Sequence, residues 1–165
     1  MVGFALLSQY CDNRTAAARH GPRASAGTKP KAPVDPEPSQ VRTVAAVEKV
    51  NLGERLARFQ DLWSPKIVGR VNDFHVKLVK LKGEFVWHHH ENEDELFLVL
   101  RGRMTVQLPQ GDVEVGEGEF VVVPRGMQHR PVAREETHVL LLEPASTVNT
   151  GNIRDGRTRT ELERI

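Results

Sequence analysis

Cysteine is almost missing from this chain. Cys11 is the only one in 165 residues, which excludes a disulfide framework and a thiolate zinc site. No apolar run approaches the roughly 18 residues of a bilayer-spanning helix. The apolar opening Val2–Leu7 is too short for a signal-peptide core and lacks a basic lead. Neither sign of charge prevails: 23 Lys and Arg against 22 Asp and Glu leave a formal charge of +1. That balance argues against a general nucleic-acid binder or a polybasic membrane binder. A Ser/His/Asp arrangement, a phosphate-binding loop and a Rossmann glycine motif are all missing. What remains, 39% hydrophobic and 27% charged residues, is the composition of one globular domain.

Composition shifts near residue 40. Residues 1–40 hold Pro22, Pro30, Pro33, Pro36 and Pro38, and Val34 is the only large apolar residue between Arg23 and Gln40. Such a stretch buries too little surface to offset its ordering entropy, so 1–42 reads as a disordered tail that takes in Cys11 and His20. A dispensable tail or a mis-assigned start is preferred here to an organelle transit peptide. A lone thiol suits a reducing, cytoplasmic setting. Residues 43–65 read as a helical lead-in: Asn51 and Glu54 form a capping pair, and Leu52, Leu56, Phe59 and Trp63 recur at helical spacing up to Pro65.

From 66 to 144 the pattern becomes strand, turn, strand. Phe74, Val76 and Leu78 alternate with His75, Lys77 and Val79. Leu96–Leu100 is a continuous apolar run, as in a strand buried on both faces. Met104, Val106 and Leu108 lead into Pro109–Asp112, Val113 and Val115 into Gly116–Gly118, and Phe120–Val123 into Pro124–Gly126. Many short strands with Gly/Pro punctuation predict an all-β sandwich or barrel. Residues 145–165 are polar, without periodicity, and read as a tail.

One segment carries chemistry: His88-His89-His90, then the polar residues 91–94, then Glu95. Alternate residues of an extended chain share a face, so His88 and His90 point together and His89 points away. Glu95, opening the next strand, can approach both imidazoles. Two histidines and a carboxylate leave a metal with open positions, as non-haem iron sites do. His129, beyond the turn that Gly126 permits with a positive φ, offers a fourth donor. His75 and His138 lack a surrounding motif and read as structural. Lys77, His75, Gln107 and Arg103 are the nearby polar strand residues, read as solvent-facing. Trp87 and Phe97 are read as ordinary core packing that could line a cavity beside the metal.

These residues resemble the two motifs of the cupins. Gly83, His88, His90, Glu95 and Gly102 follow the first, with one residue fewer before the first histidine. Gly118, Pro124, Gly126 and His129 follow the second, with Ala133 where the family has Asn. Together with the segments Asn72–Lys77, Glu84–Trp87 and Glu143–Gly151, the chain looks like the short bacterial cupins loosely labelled mannose-6-phosphate isomerase-like. The resemblance implies a single jelly-roll (cupin) barrel over 66–144. It also implies metal ligation by His88, His90, Glu95 and His129. Such a donor set suits Fe, Mn, Zn, Ni or Co and leaves two adjacent octahedral positions open.

The expected activity is that of a metal-dependent enzyme, of isomerase or dioxygenase type, acting on a small polar metabolite; the alternative is a non-catalytic ligand-binding or sensor module. No general acid or base can be assigned from the sequence. The expected partners are a small-molecule ligand and a second copy in a homodimer, with neither nucleic acid nor membrane.

Overall fold

The computed structural model describes residues 47–165. The expected disordered tail, with Cys11 and His20, lies outside them. One helical turn, α1 (Leu52–Leu56), precedes seven strands: β1 (Lys66–Val71), β2 (Phe74–Glu84), β3 (Glu95–Arg101), β4 (Arg103–Gln107), β5 (Val113–Gly116), β6 (Phe120–Val123) and β7 (Arg130–Pro144). All pairings between named strands are antiparallel, in the order β1-β2-β7-β3-β6 with β4 bridging β5 and β7. The 15-residue β7 pairs with β4 at its start and with β2 and β3 farther on, so one strand serves both sheets of a jelly roll.

Period-2 alternation builds the interior. Val79 and Leu81 of β2, Phe97 and Val99 of β3, Met104 and Val106 of β4, and Val139 and Leu141 of β7 all project into one buried cluster. The apolar run Leu96–Leu100 differs from its expectation: Phe97 and Val99 are buried, but Leu96, Leu98 and Leu100 on the outer face are only half-buried.

The helix is shorter than its apolar stripe predicts. Asn51 caps it as expected, accepting from Glu54 N at 3.2 Å. It nevertheless stops after Leu56, and Phe59 packs with Leu56 against Val68 and Leu78 from irregular chain. Trp63 then takes φ +56°, which no right-handed helix accommodates, and its N–H bonds to Lys80 O. Pairing with β2 at Leu62 and Trp63 takes the place of further helical turns.

Residues 145–165, read as a polar tail, are ordered. They run from the end of β7 back across the barrel mouth to β1. On the way Asn152 N donates to His89 O at 3.0 Å, His89 N donates to Asn152 Oδ1 at 3.0 Å, and Ile67 N donates to Glu163 O at 2.8 Å. Thr150 is fully buried and Asn149 nearly so. This order rests on backbone and amide hydrogen bonds, which leave no apolar period in the sequence.

Candidate metal centre

After Glu84 the chain leaves β2 but stays extended. Phe85, His88 and His90 are buried, while Trp87 is exposed and His89 half-buried. A two-hydrogen-bond bridge then ties the first motif to the second: His88 N donates to His129 O at 3.0 Å and His129 N to His88 O at 2.9 Å. Gly126, at φ +75°, donates to His90 O at 2.6 Å. The Asp94 carboxylate accepts from Arg125 N at 2.9 Å and from Arg125 Nε at 3.1 Å. This clamp joins the 91–94 turn to the 124–126 turn, and spacing alone did not reveal it. Glu95 is the first residue of β3, as its position after the turn predicts.

These ties bring His88, His90, Glu95 and His129 together, with one donor atom of each within 4.8 Å of all the others and all four side chains buried. Two of the rings also hold the tautomer that ligation needs. His88 Nδ1 lies 3.0 Å from Val86 O, and His129 Nδ1 lies 2.9 Å from Met127 O. A carbonyl can only accept, so each neutral ring carries its hydrogen on Nδ1 and offers a lone pair at Nε2. His90 Nε2 and His129 Nε2 each stand 3.3 Å from Glu95 Oε2, and none of these three buried atoms has a hydrogen-bond partner. Buried polar atoms rarely go unpartnered, and three that converge on one point fit a shared cation.

The electrostatics agree. Burial alone would raise Glu95, but the close approach of the His129 and His90 rings outweighs it and holds the carboxyl below its usual range. Burial also opposes charge on His90, yet Glu95 raises it. His88 is pushed down to about 4 by burial and by His129. A proton on His90 and a metal ion therefore answer one need, positive charge beside Glu95.

The remaining sequence candidates separate. His138 is half-buried, 2.8 Å from Glu136 Oε1, and His75 stands outside the cluster. Arg103 pairs with Glu114 in solvent, and Gln107 bonds Arg130. Trp87 lies outside the barrel under the Arg130 guanidinium, whereas Phe97 is buried, lines the cavity and sets its edge toward His129. Lys77 corrects its expectation: it is not solvent-facing but 1% exposed, with Nζ 2.6 Å from Glu143 Oε1. Glu143 went unnoticed in the sequence. It follows Leu142, the register partner of Leu96, and so stands beside Glu95 on the inner face. Burial, then the Glu95 charge, push it up to about 7 despite Lys77, and its Oε2 has no partner.

Residues 75–143 match the cupin domain family. A cupin-2 domain containing protein from Shewanella frigidimarina is 37% identical, aligned over 58% of this chain and 93% of its own, with a TM-score of 0.57. Protein NMB1881 from Neisseria meningitidis is 34% identical over 59% of this chain and its whole length, with a TM-score of 0.55. Uncharacterized protein YdbB of Bacillus subtilis is 34% identical over 77 residues, 46% of this chain and 68% of its own.

Proposed function

The chain belongs to the cupin family, and on that premise we propose that it is a metal-dependent enzyme acting on a small molecule bound at the metal. The observation that carries this reading is the convergence of four buried donors, three of them with an unpartnered atom. A divalent cation held by His88, His90, Glu95 and His129 would supply Lewis acidity and leave coordination positions for a ligand. Among the chain's own groups, the Val86 and Met127 carbonyls fix the His88 and His129 tautomers. The barrel walls narrow the space beside the site, and Glu143 is the additional carboxylate there. Isomerase- and oxygenase-type reactions both fit such an arrangement.

A second reading, metal-assisted ligand binding without turnover, is favoured by one feature. Among the described residues, no titratable side chain other than His88 and Glu95 lines the cavity, so a general base would have to act from behind its wall. The deciding experiment uses tag-free protein. Elemental analysis is compared with a His88→Ala/His129→Ala double variant, then each metal form is assayed under air against sugar phosphates and keto-enol substrates. A stoichiometric metal lost in the variant, with turnover, supports the enzyme. Metal and ligand-dependent thermal shift without product support the binding module, and equal metal in both proteins refutes either.

A second copy is the proposed partner. Leu96 of β3 faces Leu142 of β7 on one side and Val122 of β6 on the other, and Leu98 faces Phe120. This outer grid is apolar, with Phe120 63% and Val122 47% exposed. A copy related by a two-fold axis presents the same apolar face, which sheet-on-sheet packing can cover. Light scattering reads the mass, and Val122→Glu should convert dimer to monomer; a monomeric parent refutes the pairing.

A further inference from the structure

The cavity against the metal centre is small, about 30 Å³, room for roughly one water-sized group before its walls move. His88 and Glu95 form its polar end. Val79, Leu81, Phe97 and Leu141 form its walls, and Phe85, with the half-buried Trp63 stacked on it at 4.9 Å, completes the lining together with Pro65 and Pro131. The third polar residue, Asn149, is already engaged: its Nδ2 donates to Arg157 O at 2.9 Å and its Oδ1 accepts from Arg159 N at 2.7 Å.

No lysine or arginine lines this space among the described residues. The nearby cations are committed elsewhere. Lys77 is paired with Glu143, and Arg157 stacks over Phe85 at 5.2 Å while donating to Glu84 O at 2.8 Å. A phosphate, a carboxylate or an ammonium group placed beyond the metal would therefore be desolvated against hydrocarbon without a counter-ion.

We propose that the molecule bound at this centre has a metal-chelating head and a short uncharged apolar body, for which Val79, Leu81, Phe97 and Leu141 part beyond the present volume of about 30 Å³. The same wall disfavours a phosphate group seated in this cavity. The inference rests on the metal-binding reading and narrows the expected small polar metabolite to one that is polar only at its chelating end.

The test uses the full chain loaded with Co(II), elemental analysis preceding any other addition. Three hydroxamates then share one chelating head and a two-methylene spacer and differ in the group that ends the tail. Butyrohydroxamate ends in a methyl group, succinic monohydroxamate in a carboxylate and β-alanine hydroxamate in an ammonium group. Binding is followed by the cobalt visible spectrum. Butyrohydroxamate should bind at least about tenfold tighter than either charged analogue, from unpaired-charge burial alone. A charged analogue binding equally well or better overturns the inference.

Leu81→Ala, or Leu81→Val should the alanine variant not fold, locates the tail. Enlarging this wall should raise the affinity for benzohydroxamate several-fold relative to butyrohydroxamate. An unchanged ratio places the tail outside the cavity and equally overturns the inference. Failure to retain cobalt is read separately, in the first step, and overturns the metal-binding reading and the inference with it.

Discussion

Lys77 Nζ and Glu143 Oε1 meet 2.6 Å apart inside the barrel, each side chain 1% exposed, on neighbouring strands. Two charges so deeply buried depend on each other, because neither has water to fall back on. Lys77→Met should therefore cost about 3–5 kcal/mol, whereas Lys77→Met/Glu143→Leu should recover much of that loss. A double-mutant cycle by urea denaturation decides the matter; additive losses would refute mutual dependence.

The same carboxyl sets a pH dependence. Glu143 is raised to about 7 from an unfolded value of 4.5, so between those pH values the folded state binds the proton that the unfolded state has released. Its contribution to stability therefore falls as pH rises from about 4.5 to about 7. His88, lowered to about 4, acts with the opposite sign: its contribution is present above the unfolded histidine value and is lost as pH falls from about 6.5 to about 4. The two nearly cancel over their shared range in metal-free protein. Comparison with Glu143→Gln isolates the first: the stability gap between parent and variant should shrink as pH rises from 5 to 7. A gap independent of pH contradicts the buried-carboxyl assignment.

Metal binding has its own proton linkage. Imidazoles ligate only when neutral; His90, raised by Glu95 against its burial, is the ring on which a proton competes with the cation, whereas His88 stays neutral well below pH 6. Affinity for Mn(II), Co(II) or Zn(II) should fall as pH drops through the histidine range, about 7 to 5, with proton release on binding. Calorimetry in buffers of different ionisation enthalpy measures both. A pH-independent affinity from 5 to 8 would contradict ligation by imidazole.

Bound metal should also stabilise the fold. At a free concentration of 100 times Kd the gain is about 2.7 kcal/mol, visible as a raised melting temperature. The His88→Ala/His129→Ala variant should show none of it at the same concentration.

The 145–165 segment holds the histidine stretch from outside. Gly151 has φ +50°, and a Cβ there would run into the His89 carbonyl. Gly151→Ala should lower stability by at least about 1 kcal/mol. It should also weaken metal binding, because the His89–Asn152 hydrogen bonds hold the backbone between two candidate ligands. Unchanged metal affinity in a destabilised variant would limit this segment to covering the barrel.

Local spacing determined a good deal by itself. Alternation showed the inward strands. The His-x-His pair shares a face because extended chain has a period of two, and the position of Glu95 after a four-residue turn made it a third donor. His129 and Gly126 were legible through the second motif. The stripe Leu52, Leu56, Phe59 and Trp63 shows where periodicity misleads: Phe59 and Trp63 are apolar because they cover β2, and no helical turn is needed to bring them there.

Other features were decided only by the fold. A lysine on a strand reads as solvent-facing until another residue neutralises it, and Glu143 lies 66 positions away in the chain. Only the β2–β7 register joins them, and only the β3–β7 register sets Glu143 beside Glu95. The ordered polar segment after Pro144 had no apolar period to announce it, since its contacts are mostly hydrogen bonds, among them those to the backbone of Ile67 and His89. Sequence periodicity reports which face a side chain takes; which distant group waits on that face is fixed by strand pairing.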